Sequence, residues 1–166
     1  MRRKEVPVQV SPCRIKYMGG GILKFADLQN SREKDYIFDL DKFCSLEGKT
    51  GPYILYTYLR INKIIENKEI TTLNDIVYND YDRNLRIKLL ELELAVNNAF
   101  NTRMPSYIAE YIYDLCVLVN SFYQNNHVNN EEDKDKQNSF VYVLNLTNKI
   151  IKEMLNILVI DIPSVM

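Results

Sequence analysis

The chain has no tryptophan, one histidine and three cysteines among its 166 residues. Each scarcity removes a class of chemistry. With His127 as the sole imidazole, any Ser/His/Asp or Cys/His relay must run through that one residue. It sits among Asn125, Asn126, Asn129 and Asn130, where a surface histidine is the simpler reading. Cys13, Cys44 and Cys116 are odd in number and far apart, without the close spacing of a zinc site, and they suggest a reducing compartment. No apolar run reaches the length of a membrane span. The charged start of the chain is not followed by the apolar stretch of a signal peptide, so the expectation is a cytoplasmic protein with no membrane partner. The formal net charge is -1, a poor electrostatic footprint for a free-standing nucleic-acid binder, since neutralising phosphates needs a basic surface, and no DNA partner is expected. Gly48-Lys49-Thr50 lacks the upstream glycine of a phosphate-cradling loop. No repeat at solenoid period is evident.

What is present is helical patterning, with 46% of residues apolar, enough for one well-buried domain. Residues 1–18 read as an irregular arm. Pro7 and Pro12 discourage helix there, Val6, Val8 and Val10 allow a short edge strand, and Arg2, Arg3, Lys4, Arg14 and Lys16 make it basic. A solubilising role is the plain reading of that charge. Gly19, Gly20 and Gly21 read as a turn. Thr50 is placed to cap a helix whose first turn tolerates Pro52, and Ile54, Tyr58, Ile61 and Ile65 recur at helical spacing. The chain breaks near Asn67, and a short helix is expected from Thr72 to Tyr78. A longer one, about Tyr81 to Phe100, carries Leu85, Leu89, Leu92 and Val96. Pro105 opens the cleanest amphipathic stretch, with Ile108, Tyr111, Ile112, Leu115, Leu118, Val119 and Phe122 on one stripe. Residues 125–137 are dense in charge and amide, and read as a solvated loop. From about Asn138 a last helix turns Phe140, Leu144, Thr147, Ile151, Met154 and Leu158 inward and ends before Pro163. The fold class is therefore all-α, a helical bundle with an irregular N-terminal arm.

Two stretches say more than the periodicity does. ADLQNSREKDYIFDLD at 26–41 and EGKTGPYILY at 47–56 resemble the end of the catalytic domain of arginyl-tRNA synthetases and the entry to their helical anticodon-binding domain. LRIKLLEL at 85–92, PSYIAEYIYDL at 105–115, VNSFY at 119–123 and the closing IDIPSVM at 160–166 continue the likeness. It covers about residue 20 onward and implies a helical bundle of the class I synthetase anticodon-binding type. It also implies three segments: an arm (1–18), a piece like the end of the catalytic domain (19–49), and an anticodon-binding domain (50–166).

The resemblance implies that the chain is the tRNA(Arg)-binding module of an arginine–tRNA ligase. By family position, Tyr123, Met166 and Asn120 would face the anticodon stem-loop. Loop bases are held by aromatic stacking and edge hydrogen bonds, and twelve tyrosines supply platforms, most of them on stripes better suited to core packing. Arg32, Lys34 and Asp35 form a charged cluster that reads as an ion-paired junction toward a catalytic domain. The family departs at Phe140, where Arg is usual, at Met154 and Val159, where Gly is usual, and at Leu55, where Gln is usual. The H-I-G-H and K-M-S-K-S signatures have no counterpart in these residues. No cofactor is expected in this chain, which should not activate arginine alone; ATP is implied only for a full-length enzyme. The partners expected are tRNA(Arg) and a catalytic domain. A C-terminal fragment or a shortened relative fits this pattern, and a non-catalytic tRNA-binding or protein–protein adaptor built on the same bundle is the alternative.

Overall fold

Thr50 takes an extended backbone conformation (φ −132°, ψ 154°), and its hydroxyl oxygen accepts the Tyr53 amide hydrogen, starting a helix just ahead of Pro52. In the computed structural model, which describes residues 12–33, 35–37, 39–69 and 76–163, with side chains from residue 20, this helix is the third of seven. They are α1 (Pro12–Leu28), α2 (Leu40–Phe43), α3 (Gly51–Ile65), α4 (Asp80–Leu90), α5 (Leu92–Thr102), α6 (Ser106–Asn125) and α7 (Lys134–Ile157). No strand occurs among the described residues, so the all-α expectation holds.

Bonded pairs fix the packing. Asn120 of α6 meets Tyr53 and Thr57 of α3, and Tyr123 meets Arg60, so these two helices run in the same direction. Asn148 of α7 reaches Asn62 of α3, while Ile160, beyond α7, lies by Leu55 and Gly21, so α7 runs the other way. Asn79 pairs with Asn126 and Lys88 with Asp114, which sets α4 antiparallel to α6. The core between them is the stripe expected on α6, with Ile112, Leu115 and Phe122 fully buried. It meets Phe140, Leu144 and Ile151 of α7. Phe122 and Phe140 stack edge to face, ring centroids 5.0 Å apart.

Several local expectations are corrected. The arm is not irregular from residue 12 onward, because α1 begins at Pro12 and runs unbroken through Gly19, Gly20 and Gly21; residues 1–11, with the suggested edge strand, lie outside the described residues. Proline is tolerated where the helix has no amide partner to lose. Close packing accounts for one of them. A Cβ on Gly21 would stand 3.3 Å from Ile160 Cγ2, whereas one on Gly20 would meet open space; across the same seam a Cβ on Gly51 of α3 would stand only 3.1 Å from Ile22 Cα. Glycine's freedom permits turns without requiring them. The single helix expected from Tyr81 to Phe100 is two, divided at Glu91, and only Leu85 of its stripe is fully buried. Residues 76–78 are not helical, and the rest of the helix expected at 72–78 lies outside the described residues. The 125–137 loop is shorter and less solvated than its composition suggests, since α7 starts at Lys134 and both Asn126 and Val128 are buried.

The final turn of α7 closes in a Schellman arrangement. The Ile160 amide donates to Leu155 O (2.9 Å) and the Val159 amide to Asn156 O (3.0 Å). Val159 takes the left-handed conformation this requires (φ 56°), an uncommon one for a β-branched residue. Lys24 of α1 donates to the Val159 carbonyl at 2.6 Å, joining the two ends of the described chain.

Candidate functional site

The C-terminal half of α6 carries two of the residues marked by sequence, one turn apart and both turned toward α3. Asn120 faces inward. Its amide nitrogen donates to the Tyr53 hydroxyl (2.9 Å) and to Thr57 Oγ1 (3.1 Å), and Thr57 in turn donates to the Tyr53 carbonyl (2.9 Å). Burial pushes the Tyr53 phenol above its ordinary pKa, against the opposing pull of the Asn120 hydrogen bond. Asn120 thus bridges α6 and α3 beneath the surface.

Tyr123 is half-buried at the edge of the same seam. The Arg60 guanidinium carbon lies 4.6 Å from the centre of its ring, within cation–π range. Beside this pair opens a cleft of about 360 Å³, walled by Gln124, His127, Asn129 and Asn130. An aromatic ring, a guanidinium and several amides share one concavity. Such a set offers a stacking face, a positive charge and edge donors and acceptors together.

The cleft wall is built from below. Asn126 follows α6 in extended conformation (φ −126°), and its Nδ2 donates to Phe122 O (2.9 Å), satisfying a helix-end carbonyl. Its Oδ1 accepts from Asn79 Nδ2 at 2.7 Å, and Asn79 Oδ1 caps α4 by accepting the Asp82 amide. Asp82 is fully buried. It accepts the Tyr78 amide (3.1 Å) and Arg86 Nε (2.8 Å), while Arg86 Nη2 also donates to Ser139 of α7 (2.8 Å). Val128 plugs the core, and Gln137 donates to its carbonyl (2.9 Å). His127 and Asn129, on alternate positions, are left exposed.

The charged cluster lies elsewhere. Arg32 and Asp35 are exposed and line a larger cleft, about 570 Å³, with Asp27, Tyr36 and the Met104–Ser106 turn ahead of α6. Tyr36 donates to Asp27 Oδ1 (3.1 Å), but no ion pair joins Arg32 to Asp35 among the described residues. Lys34 lies outside the described residues, as does Met166. The two clefts sit at opposite ends of α6, seventeen positions or roughly 26 Å of helical rise apart. The sequence expectations therefore divide between two places. Arg60, Asn79, Asn126 and Val128 were not foreseen. Only Val128 left a trace, as a lone apolar residue in a polar run.

Among the described residues no group of three or more His, Cys, Asp or Glu side chains is placed to hold a metal, and no helix is long and apolar enough to cross a membrane.

Residues 54–166, most of the chain and all of the Tyr123 cleft, match the model of the DALR anticodon binding domain. The chain belongs to this family. The DALR domain here is similar to that of arginine–tRNA ligases. The chain is 36% identical over 154 residues to the arginine–tRNA ligase of Alkaliphilus oremlandii, covering 90% of this chain and 26% of that protein. With the ligase of Agathobacter rectalis the identity is 36% over 150 residues, covering 86% and 25%. The chain thus spans about a quarter of the length of these curated relatives. Among solved structures, Thermus thermophilus arginyl-tRNA synthetase superposes with a TM-score of 0.82 at 23% identity, covering 98% of this chain and 29% of that one. Arginyl-tRNA synthetase from Plasmodium falciparum gives 0.77 at 24%, covering 91% and 27%. At that identity the likeness concerns the fold, and it bears out the expected bundle type.

Proposed function

We propose that the DALR domain binds the anticodon stem-loop of tRNA(Arg) at the Tyr123 cleft. The observation that carries this reading is the Arg60–Tyr123 pair beside a wall of exposed amides. A loop base stacks on Tyr123, Arg60 faces the phosphate chain, and Asn120 acts from beneath by fixing α6 against α3. Met166 contributes from the C-terminus, as its family position suggests. The chain serves ATP-dependent ligation of arginine to tRNA in the cytoplasm, with a catalytic body met through the Arg32–Lys34–Asp35 segment. ATP binds that body, not the residues described here.

Fluorescence anisotropy with cognate and non-cognate stem-loops tests the reading. A stacked base is worth roughly 1–3 kcal/mol, so Tyr123→Ala should weaken binding about tenfold or more. With a net charge of -1, affinity should be modest and fall gently with salt. Equal binding of both RNAs by wild type and Tyr123→Ala overturns it. A protein–protein adaptor is then the better reading, supported by Leu90 and Phe100, exposed at 82% and 80% on the outer side of α4 and α5.

A further inference from the structure

We infer that Asn79 and Asn126 form a positioning strut that sets the 127–130 loop opposite Tyr123 and so controls RNA affinity at that cleft. The inference rests on the RNA-binding reading above and assigns a role to Asn126, at the base of the cleft, and to Asn79, which lies outside its lining.

The loop has three anchors. Val128 is buried, Gln137 holds its carbonyl from α7, and Asn126 holds the loop's first residue. Of these, only Asn126 connects the loop to α4. Its two amide ends are both committed, the nitrogen to Phe122 O and the oxygen to Asn79, 47 positions away in sequence. Asn79 is itself held by the Asp82 amide, and Asp82 by Arg86, which is bonded to Ser139. The first loop residue is therefore tied through side chains to α4, α6 and α7 at once. Inside a protein a fully satisfied polar chain of this kind enforces one geometry, because each unmade bond strands a buried group. The residues it places, His127, Asn129 and Asn130, form the cleft wall facing the Tyr123 ring. Asn79 lies outside the cleft lining, so losing its end of the strut frees the wall without removing a cleft-lining group; Asn126 itself lines the cleft.

Asn79→Ser is the selective probe, since serine keeps an oxygen to cap α4 but cannot reach Asn126. Asn126→Ala is the second. Each should raise the stem-loop Kd about three- to tenfold, the scale of one hydrogen bond. Amide exchange should quicken in residues 127–130, and the thermal midpoint of Asn79→Ser should fall by a few degrees because the buried Asn126 Oδ1 loses its donor. The double variant should be no weaker than the worse single one, because both break the same bond. The decisive arm repeats Asn79→Ser in a His127→Ala/Asn129→Ala/Asn130→Ala background, where the strut has no wall side chains left to position and Kd should not rise further. An equal rise in both backgrounds marks a general structural effect and overturns the inference. So does an unchanged Kd for Asn79→Ser in a protein whose binding Tyr123→Ala weakens. If Asn126→Ala does not fold, Asn79→Ser carries the test alone. Wild-type protein that binds no stem-loop, or Tyr123→Ala that binds as wild type does, overturns the RNA-binding reading at that cleft and the strut with it.

Discussion

α6 and α7 stop in opposite ways. α6 ends without a left-handed residue: Asn126 stays extended and its side chain takes up the Phe122 carbonyl. α7 ends by bending the backbone itself, with Val159 at φ 56° so that two amides can turn back onto the last carbonyls. The first solution spends a side chain and a buried polar chain reaching three helices. The second uses no side chain and accepts backbone strain in a β-branched residue. The difference matters for function because the two ends lead to different things. Asn126 leads into a wall that faces Tyr123, and Val159 leads into the tail that closes on α1.

The comparison is broken most strongly at Asp82. Removing this fully buried carboxylate takes away the anion paired with Arg86 Nε, on a side chain only 16% exposed, and the acceptor of the Tyr78 amide hydrogen bond. Asp82→Ala should cost about 3–5 kcal/mol in a urea titration. A loss under about 1 kcal/mol would mean that the end of α6 does not depend on the polar chain below it.

At the end of α7 the expected sign reverses. A left-handed conformation costs a residue with a Cβ roughly 1–2 kcal/mol, and glycine's extra freedom in the unfolded chain returns about half of that. Val159→Gly, the residue usual in the family, should raise stability by about 1 kcal/mol in the same titration. A clear loss would show that packing by the valine side chain outweighs its backbone strain.

The smallest effect lies in the loop between them. Lys136 Nζ stands 2.7 Å from Glu131 Oε2, and that hydrogen bond holds the partly buried carboxyl below its ordinary value of 4.5 against the opposing effect of desolvation. A carboxyl whose pKa is lowered by folding contributes stability above its unfolded pKa, and that contribution fades as pH falls through the lowered folded value. The thermal midpoint of wild type should exceed that of Glu131→Gln slightly at neutral pH. The gap should close as acid protonates Glu131. A gap that persists at pH 2 would assign the difference to something other than this pair.

How legible these features were follows from the range of the interactions that make them. Thr50 capping α3 and the α6 stripe from Ile108 to Phe122 are set by neighbours within four positions, and both stood in the sequence as they stand in the structure. The three consecutive glycines misled because glycine permits a turn without requiring one, and the contact of Gly21 with Ile160 lies far along the chain. The division at Glu91 left no mark in a pattern that continues across it. The cleft was half legible. Tyr123 and Asn120 were named from family position, but their partners Arg60 and Tyr53 lie 63 and 67 positions away, and Asn79 lies 47 from Asn126. No periodicity encodes such pairings. Asn126 and Val128 were hidden by composition, since an amide-rich run reads as solvated even where two of its members point inward.

The Lys24 contact with Val159, next to the fit of Gly21 against Ile160, also decides how the molecule carries load. Tension applied between Gly20 and Pro163 crosses this seam before it reaches the α4–α6–α7 polar chain. Its surface layer is the exposed Lys24 hydrogen bond and the fit of Gly21 against Ile160, and beneath it Phe25 locks α1 into the same core as Ile160. Stretched from these points, the surface layer takes the load first, Phe25 is the latch behind it, and the Tyr123 cleft lies off that line.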